Sequence, residues 1–442
     1  MAIKEAHSED LMEKIVSLCK RRGFIYPSFD IYGGLAGFFD YGPYGLALKN
    51  NITEIWWKQF VTDREDVYGI DSAIVTKKEV LQASGHARGF ADMLSECEKC
   101  KRRFRADHLA DVKKCPECGG KLGEARQFYM MLETHIGAAE DESSLAYLRP
   151  ETAQGIFTNF KNIVDSFHPS LPFGIAQIGK AFRNEIAPRD FLFRVRELEQ
   201  MEVEYFVRPD SWKGAFDMWC QEIMRFIETI GIDAKKVSEL EIADADRAHY
   251  SKRTIDFEFE FPFGKKELYG LAYRTDYDLK NHADASGTDL SFLDEETKEK
   301  VVPHVIEPSL GVGRTILAVL ASAYTEDEMN GEKRTYLKFK PSIAPVKVAV
   351  FPLLKNKPQL VEKAREVYKM LKYEFGAVEF DDNGNIGKRY RRQDEIGTPN
   401  CITVDFDTIE KDNTVTVRDR DSGKQERVSV TELVVYLRKA FV

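Results

Sequence analysis

Residues 181–206 read AFRNEIAPRDFLFRVRELEQMEVEYF, and this stretch decides the fold. A strand occupies its start and is interrupted at residues 187–190, where Pro188 cannot donate a ladder hydrogen bond and Asp190 favours a turn. A longer strand of alternating polar and apolar residues follows. The pattern therefore predicts a long antiparallel hairpin whose loop is the interruption.

The two faces of this hairpin differ in chemistry, because side chains two residues apart on a strand share a face. On the outgoing strand Arg183 and Glu185 point together. On the return strand one face consists of Arg194, Arg196, Gln200, Glu202 and Glu204, and the other of Phe193, Val195, Met201, Val203 and Tyr205. Cations lie near the loop and anions farther along. This order suits a ligand with an anionic and a cationic end, such as an adenylated amino acid, whereas an isolated hairpin would be interpreted as a solvated face of ion pairs.

Three sequence signatures carry a resemblance to a known family. FRNE (182–185) with FRVRELEQMEVEYF (193–206) resembles motif 2 of the class II aminoacyl-tRNA synthetases, in the form carried by the glycyl-tRNA synthetases. LRPETAQG (148–155) is a signature of the same family, and EPSLGVGR (307–314) resembles its motif 3. In that last stretch a strand turns at Gly311 and Gly313, and Arg314 opens an apolar helix, where the helix dipole disfavours a cation. A bound polyphosphate would remove the conflict.

The sheet that contains these motifs is predicted to be antiparallel and mixed rather than doubly wound. TIDFEFEF (254–261) alternates strictly, and KKELYGLA (265–272) returns as another strand. The chain is thus identified as an α+β protein with a class II synthetase catalytic domain.

The aromatic, glycine-rich residues 24–45 lead into a helix predicted at about 45–62, and the whole stretch of about 24–62 resembles motif 1 of the family. Pro43 stands where motif 1 has its proline. The resemblance implies a homodimer built on this region. The alternative is an aromatic-rich core that has no partner.

Cys97, Cys100, Cys115 and Cys118 form two Cys-x-x-Cys pairs separated by a short loop. Such pairs present four thiolates in a tetrahedron, and Pro116 with the glycines at 119–120 supplies a tight turn, as in zinc ribbons. We expect a structural Zn²⁺ in an insertion at about 93–125, since four thiolates leave no position for an activated water. The alternative is four unrelated free thiols.

The family resemblance also implies the ligand contacts. Arg183 and Arg314 are the expected catalytic residues: Arg183 for the α-phosphate and the approaching carboxylate, Arg314 for the distal phosphates. Phe193 would stack on adenine, and Glu267 would lie near Mg²⁺. The full set expected to bind ATP is Arg183, Asn184, Glu185, Phe193, Arg194, Arg196, Glu267, Leu268, Gly311, Gly313 and Arg314. The set expected to bind glycine is Arg105, Glu151, Gln200, Glu202, Glu307 and Ser309.

Selection of glycine is attributed to steric exclusion, since a filled pocket cannot admit a methyl group without strain. The hypothesis is that Glu151, Glu202 and Glu307 surround the ammonium group and occupy the space that a side chain would need. Ser309 would complete the wall.

From about residue 340 the chain changes character. Pro341 and Pro345 mark a linker, and strands and helices then alternate over about 100 residues. This part resembles the α/β anticodon-binding domain of the family. Lys388, Arg389, Arg391 and Arg392 are tentative tRNA contacts, and a charged helix surface is the alternative. We therefore expect a catalytic domain at 1–340, with motif 2 at about 181–206 and motif 3 at about 303–323, and an anticodon-binding domain at 341–442.

The bulk composition sets further bounds on the 442-residue chain. Its net charge of −9 neither predicts nor excludes RNA binding, because phosphate contacts depend on local patches. We found no apolar stretch long enough for a membrane span and no signal peptide, and the clustered cysteines favour a reducing compartment, so a cytoplasmic location is expected.

These observations predict an aminoacyl-tRNA ligase that uses ATP and Mg²⁺ to join glycine to its tRNA through glycyl-adenylate. Two alternatives remain: a class II synthetase for another small amino acid, or a non-catalytic, synthetase-like protein that binds RNA or DNA as an accessory subunit. The retained Arg183 and Arg314 favour the enzyme.

Overall fold

The computed structural model describes residues 2–106, 109, 111–138, 141–248, 250–294, 298–329 and 331–441. Its helices are α1 Ala2–Arg22, α2 Pro43–Trp57, α3 Lys78–Ala83, α4 His86–Gly89, α5 Ala153–Phe167, α6 Trp212–Thr229, α7 Tyr277–Ser286, α8 Val312–Ala323, α9 Pro358–Phe375, α10 Ile386–Ile396 and α11 Leu433–Ala440. Its strands are β1 Ile25–Pro27, β2 Phe39–Tyr41, β3 Val67–Gly69, β4 Val75–Lys77, β5 Ala91–Glu96, β6 Arg103–Arg105, β7 Arg126–Tyr129, β8 Leu132–His135, β9 Leu145–Leu148, β10 Phe173–Phe182, β11 Glu197–Val207, β12 Val237–Glu241, β13 Arg253–Phe261, β14 Gly264–Thr275, β15 Phe292–Leu293, β16 Lys300–Val301, β17 His304–Gly311, β18 Tyr324–Met329, β19 Glu332–Leu337, β20 Val348–Pro352, β21 Val378–Phe380, β22 Asn400–Val404, β23 Thr414–Asp419 and β24 Gln425–Ser429.

A seven-stranded sheet in the order β12-β13-β14-β17-β11-β10-β3 organises the first part of the chain. Its neighbours pair antiparallel except β10 with β3. This agrees with the antiparallel, mixed sheet predicted from the alternating strands, and with the α+β class.

The predicted hairpin is built from β10 and β11, and the register pairs Phe182 with Glu197. Both strands stop earlier than the sequence indicated, because residues 183–196 form a long loop that contains the bridge between Arg189 and Arg194 and is closed at its base by a hydrogen bond from the Arg183 backbone N to the Arg196 carbonyl. Asp190 and Phe191 both have positive φ, so backbone extension cannot continue through this turn.

The two faces of β11 pack against different helices. Met201, Val203 and Tyr205 belong to the main apolar core together with residues of α2, α6 and α8. Phe206, which points to the opposite face, belongs to a second core with Phe157 and Phe160 of α5. Gln200, Glu202 and Glu204 lie on that second face by the two-residue period of the strand, which brings polar groups onto the buried sheet.

The last hundred residues form a separate mixed sheet in the order β21-β20-β22-β23-β24, with an apolar core of its own. β20 pairs parallel with β21 and β22, and the remaining pairs are antiparallel. Helix α9 supplies Leu360, Ala364, Val367 and Leu371 to this core.

Two smaller three-stranded sheets, β4-β9-β8 and β6-β5-β7, lie between β3 and α5 in the sequence. Among the described residues, no helix is both long and apolar enough to cross a membrane.

Candidate active site

A cavity of 590 Å³ lies over the centre of the seven-stranded sheet, above β11, β14 and β17. All but two of the residues expected to bind ATP or glycine line it. They are Arg105, Glu151, Arg183, Glu185, Phe193, Arg194, Gln200, Glu202, Glu267, Leu268, Glu307, Ser309, Gly311, Gly313 and Arg314. Residues that are far apart in the chain, such as Glu202 and Ser309 at a separation of 107 positions, therefore share one cavity, because β17 pairs with both β11 and β14.

The two exceptions are Asn184 and Arg196, which do not line the cavity. The Arg196 guanidinium donates to the carbonyl of Glu185 at 2.9 and 3.1 Å and to that of Ala36 at 2.9 Å. It therefore ties the hairpin loop to residue 36, and its expected ATP contact stays a prediction. The backbone of Asn184 donates to the Met130 carbonyl at 2.7 Å.

Arg314 and Phe193 form one end of the cavity. Arg314 lies in the first turn of α8, its Nη1 is 2.9 Å from Oε2 of Glu267, and its guanidinium carbon is 4.4 Å from the centroid of the Phe193 ring. Burial favours the protonated form of Glu267, but Arg314 outweighs it and lowers the pKa of that carboxyl. The unfavourable placement of a cation at a helix N-terminus is thus offset by a carboxylate and an aromatic face.

Arg183 lies beside this end. Its Nε donates to the Pro150 carbonyl at 3.0 Å, and its guanidinium carbon is 5.5 Å from the centroid of the Phe90 ring. Its two terminal nitrogens have no hydrogen-bond partner among the described residues, and the group lines the cavity. Arg183 is therefore oriented by one hydrogen bond, and its two terminal nitrogens remain available to bind an anion.

The other end of the cavity is acidic, and Glu202 lies at its centre. Its Oε1 accepts from Ser309 Oγ at 2.6 Å and from Gln200 Nε2 at 2.7 Å, while its Oε2 accepts from the backbone N and the hydroxyl of Thr152. Burial and the neighbouring charge of Glu151 raise the pKa of Glu202. Four donors fix this carboxylate, so Ser309 and Glu202 form a rigid wall.

Glu151 is fixed from the other side. His86 Nε2 lies 3.2 Å from Oε2 of Glu151, and Gln154 Nε2 donates to Oε1 at 2.9 Å. Burial alone would raise the pKa of Glu151, but His86, Arg274 and Gln154 together hold it below its ordinary value. His86 is itself positioned by Ser84, whose Oγ is 2.8 Å from Nδ1.

Arg274 is the buried cation of the acidic end, and it was missed in the sequence. It pairs with both oxygens of Asp278 at 2.8 and 2.9 Å and with Glu307 Oε1 at 2.8 Å, and its side chain is 1% exposed. Burial raises the pKa of Glu307 to about 8, although Arg274 opposes the rise. The sequence held no local signal for Arg274, because only the register of β14 with β17, which pairs Ala272 with Glu307, brings it to that carboxylate.

Arg105 reaches the cavity from the inserted small sheet, and its Nη1 is 2.9 Å from Oδ2 of Asp92. Two further groups were also missed, one at each end of the cavity. Asp256 lines the cavity beside Glu267, and burial together with that neighbour raises its pKa to about 7. The ring of Tyr250 lies 3.8 Å from the Arg274 guanidinium carbon.

The four cysteines of the insertion come together as their spacing predicts. All four Sγ atoms lie within 4.8 Å of one another, with Cys97 and Cys118 at 3.6 Å and Cys100 and Cys115 at 3.8 Å. A tetrahedron with Zn–S bonds of about 2.3 Å has S–S edges of about 3.8 Å, so the group fits Zn²⁺. A hydrogen bond from the Cys100 backbone N is the main cause that lowers the pKa of Cys97 to about 6, which favours the thiolate.

The basic residues of α10 are placed differently from the tRNA-binding expectation. Arg389 is buried and donates to the carbonyls of Pro352, Asp382 and Gly384, so this member is corrected to a structural residue. Arg392 pairs with Asp381 at 2.5 Å and Arg391 with Glu332 at 3.2 Å, and Lys388 is exposed.

The comparisons with known proteins give the class first. Residues 135–323 match the family model "tRNA synthetase class II core domain (G, H, P, S and T)", and residues 347–440 match "Anticodon binding domain". A crystal structure of prolyl-tRNA synthetase from Cryptosporidium parvum, complexed with halofuginone and AMPPNP, has a TM-score of 0.67 and 15% identity, covering 97% of this chain and 74% of that one. At that identity the likeness shows the fold alone. The fold and the cavity are those of a class II aminoacyl-tRNA synthetase.

Full-length relatives narrow the class to one family. Glycine–tRNA ligase of Thermobifida fusca is 49% identical and covers 98% of both chains. Glycine–tRNA ligase of Treponema denticola is 49% identical, covering 96% of this chain and 95% of the relative, and that of Clostridium acetobutylicum is 49% identical, covering 98% and 99%. The chain belongs to the glycine–tRNA ligase family.

Proposed function

We propose that the chain joins glycine to tRNA in an ATP-dependent reaction that passes through glycyl-adenylate. The observation that supports this best is the polarity of the cavity, where Arg183, Arg194 and Arg314 line one end and Glu151, Glu202 and Glu307 the other. Glycyl-adenylate has the same polarity, with a phosphate at one end and an ammonium group at the other. The membership of the family supports the same substrates.

In the first step an oxygen of the glycine carboxylate attacks the α-phosphorus of ATP. A P–O bond forms to glycine, the bond from the α-phosphorus to the bridging oxygen breaks, and pyrophosphate leaves. No protein nucleophile takes part, so the residues act by positioning and by neutralising charge. Arg183, with both terminal nitrogens open to the cavity, holds the carboxylate and the α-phosphate together.

Arg314 holds the distal phosphates, and Phe193 supplies an aromatic face for adenine. Since the guanidinium and the ring are already stacked at 4.4 Å, the base has to enter between or beside them. Glu267, which pairs with Arg314 in the structure, is the residue that would hold Mg²⁺, and the ion would supply further charge neutralisation.

Glycine is selected by the rigidity of the acidic end. Glu202 is fixed by four donors, Glu151 by His86 and Gln154, and Glu307 by Arg274. Oε2 of Glu307 has no hydrogen-bond partner among the described residues, so it is the oxygen best placed to accept from the ammonium group. A methyl group on the α-carbon would have to displace Ser309 or one of these carboxylates.

In the second step the glycyl group moves from the adenylate to a hydroxyl of the terminal ribose of tRNA. The ester bond forms as the bond between the glycyl carbonyl and the phosphate oxygen breaks, and AMP leaves. We propose that residues 341–442 bind the anticodon and residues 1–340 carry both steps. Lys388, Arg391 and Arg392 remain candidate tRNA contacts.

The four-cysteine group is proposed to bind one structural Zn²⁺. Gly120 supports this assignment, because a Cβ at that position would lie 3.2 Å from the Sγ atoms of Cys97 and Cys118. The backbone there approaches the sulfur atoms closely, as a metal-holding turn requires. A cytoplasmic location is also proposed, since the seven cysteines are all unpaired thiols.

A homodimer is proposed from the surface of the region that resembles motif 1. Ile31 is 90% exposed and Tyr32 85% exposed, and Phe29 and Leu35 beside them are also exposed. Contiguous apolar groups of this kind on a monomer mark interaction sites. A second copy of the chain would cover them.

ATP–pyrophosphate exchange without tRNA tests the proposal, with glycine, alanine and serine in parallel. We expect exchange with glycine alone. Exchange with serine or alanine would identify another class II specificity, and no exchange with any amino acid would favour the non-catalytic, synthetase-like alternative.

A further inference from the structure

Glu204 lies beneath the acidic end of the cavity and has no assigned role. It follows Glu202 on the same face of β11, and the next residue on that face, Phe206, packs against Phe157 and Phe160 of α5. Glu204 is fully buried and does not line the cavity. It therefore stands at the boundary between the polar pocket and the aromatic core.

Neither carboxyl oxygen of Glu204 has a hydrogen-bond partner among the described residues. The cross-strand pairs Glu202 with Ser309 and Tyr205 with Ile306 bracket it, so the register places Glu204 opposite Glu307. Arg274, the buried cation nearby, donates to Asp278 and Glu307 instead. Two acids thus face each other across β11 and β17 with one arginine beside them, an arrangement that is unfavourable if both are ionised.

The charged and titratable groups around Glu204 come from every element that packs on it. They are Glu307 on β17, Arg274 on β14, Asp278 and His282 on α7, Glu202 on β11, Glu151 before α5, and Tyr250, which stacks on Arg274. Burial lowers the pKa of His282, so that ring adds no positive charge at neutral pH. The acids outnumber the cations in this group.

An ionised Glu204 would carry a desolvated charge without a single donor, which is strongly unfavourable. Burial and the charge of Glu307 accordingly raise the pKa of Glu204 well above its ordinary value. Burial also raises the pKa of Glu307, to about 8, but Glu307 receives a hydrogen bond from Arg274, whereas Glu204 receives none from the described residues. Of the two carboxyls, Glu204 therefore holds its proton more firmly.

We propose that Glu204 is a positioning residue that holds a proton beneath the acidic pocket and releases it when the ammonium group of glycine binds above. The inference rests on the proposed function, because it takes the bound cation to be the substrate amine. The proton leaves the Glu204 carboxyl for solvent, and the glycine amine stays protonated. The resulting carboxylate adds negative charge under the ammonium group.

Glycine binding and the ionisation of Glu204 are linked, and the direction of the linkage follows from their charges. A cation bound near an acid lowers the pKa of that acid, so binding releases protons wherever the free pocket is protonated and the complex is not. Glycine affinity therefore rises with pH across the range in which Glu204 ionises. If Glu204 had only a structural role, the affinity for glycine would not depend on whether Glu204 is protonated.

Calorimetry of glycine binding to the full chain, in phosphate and in Tris at the same pH, measures the protons released. At pH 8 we expect the wild type to release a measurable fraction of a proton per bound glycine. Glu204→Gln keeps the size and removes the proton at this position, so the variant should release fewer protons and its glycine KM should depend less on pH, while kcat changes less. The release that remains in the variant comes from Glu307, which lines the cavity and whose pKa is raised to about 8. Glu222→Gln, on α6 and outside the cavity, is the matched control and should behave as the wild type.

Equal proton release by the wild type and Glu204→Gln would overturn the inference while leaving glycine binding, and hence the proposed function, intact. No glycine binding by the wild type would overturn both. If Glu204→Gln does not fold, infrared difference spectra of the wild type and of Glu204→Asp decide the question. Glycine should remove the C=O band of a protonated carboxyl, and that band should move in Glu204→Asp; an unchanged band, or one at the same position in both proteins, would refute proton release from Glu204.

Discussion

Arg274→Met tests the electrostatic account of the acidic pocket, because it removes the buried cation and keeps the length of the side chain. The change leaves Asp278 and Glu307 without the donors that they receive at 2.8 and 2.9 Å. Breaking a buried pair by removing one partner costs about 3–5 kcal/mol, since the remaining charges stay desolvated. We expect a loss of that size in the free energy of unfolding at pH 7.5.

The loss should shrink at lower pH. The folded wild type already holds some of these carboxyls protonated, since burial raises the pKa of Glu307 to about 8. We expect the folded variant to bind one proton more, because Asp278 and Glu307 both lose their cation, and each extra bound proton costs about 1.4 kcal/mol for each unit that pH rises. Between pH 5.5 and 7.5 the variant should therefore lose about 2.7 kcal/mol more than the wild type.

Urea unfolding followed by tryptophan fluorescence is the assay, since the four tryptophans, Trp56, Trp57, Trp212 and Trp219, all precede residue 340. The signal therefore reports the region around the cavity. Arg253→Met is the control: Arg253 pairs with Glu241 at 3.1 Å on the surface, and such pairs contribute about 1 kcal/mol or less. An Arg274→Met loss no larger than that of the control, or one that does not depend on pH, would refute the reasoning.

Three further predictions concern other parts of the molecule. Ser309→Gly and Glu307→Gln should raise the glycine KM and weaken the rejection of alanine by about 10-fold or more, since each removes part of the rigid wall; pyrophosphate exchange with both amino acids checks this, and unchanged kinetics would contradict the three-carboxylate hypothesis. Purified protein should contain one Zn²⁺ per chain by elemental analysis, and Cys97→Ser should lose it and become more sensitive to proteolysis within 93–125; zinc retained at the wild-type level would argue against the four-thiolate site. Ile31→Asp should shift the sedimentation coefficient from that of a dimer to that of a monomer. Leu240→Asp makes the same kind of change at another exposed apolar residue, on β12, and should not shift it.

The parts of the site that lie on regular strands were predictable from sequence. The two-residue period put Gln200, Glu202 and Glu204 on one face, and the structure places all three on the buried face that turns toward α5. The strand that ends at Gly311 and the apolar helix after it were also predicted, although α8 begins at Val312, two residues before the predicted start at Arg314. Local patterns sufficed here because strand pairing preserves the side-chain alternation.

The side-chain roles that could not be predicted from the sequence depend on contacts between distant segments. Arg196 was placed among the ligand contacts by the family resemblance, but in the structure the loop at 183–196 breaks the strand and the Arg196 guanidinium donates to backbone carbonyls. Arg389 looked like a surface cation in a basic run, yet one side of α10 is buried and three carbonyls hold it. Arg274 carried no local signal, because its importance comes from Asp278 and Glu307, which only the folded sheet brings to it.

The acidic pocket is electrostatically unfavourable unless a cation is bound in it. Glu151, Glu202, Glu204, Asp278 and Glu307 are all buried, and Arg274 is the buried arginine that pairs with two of them. Packing like charges in this way lowers the free energy of unfolding of the protein when the pocket is empty. An ammonium group bound beside Glu307 would recover part of that free energy, and the smallest amino acid brings the charge without needing further room. The same surplus of acids that destabilises the empty pocket would thus supply its affinity for the amine of glycine.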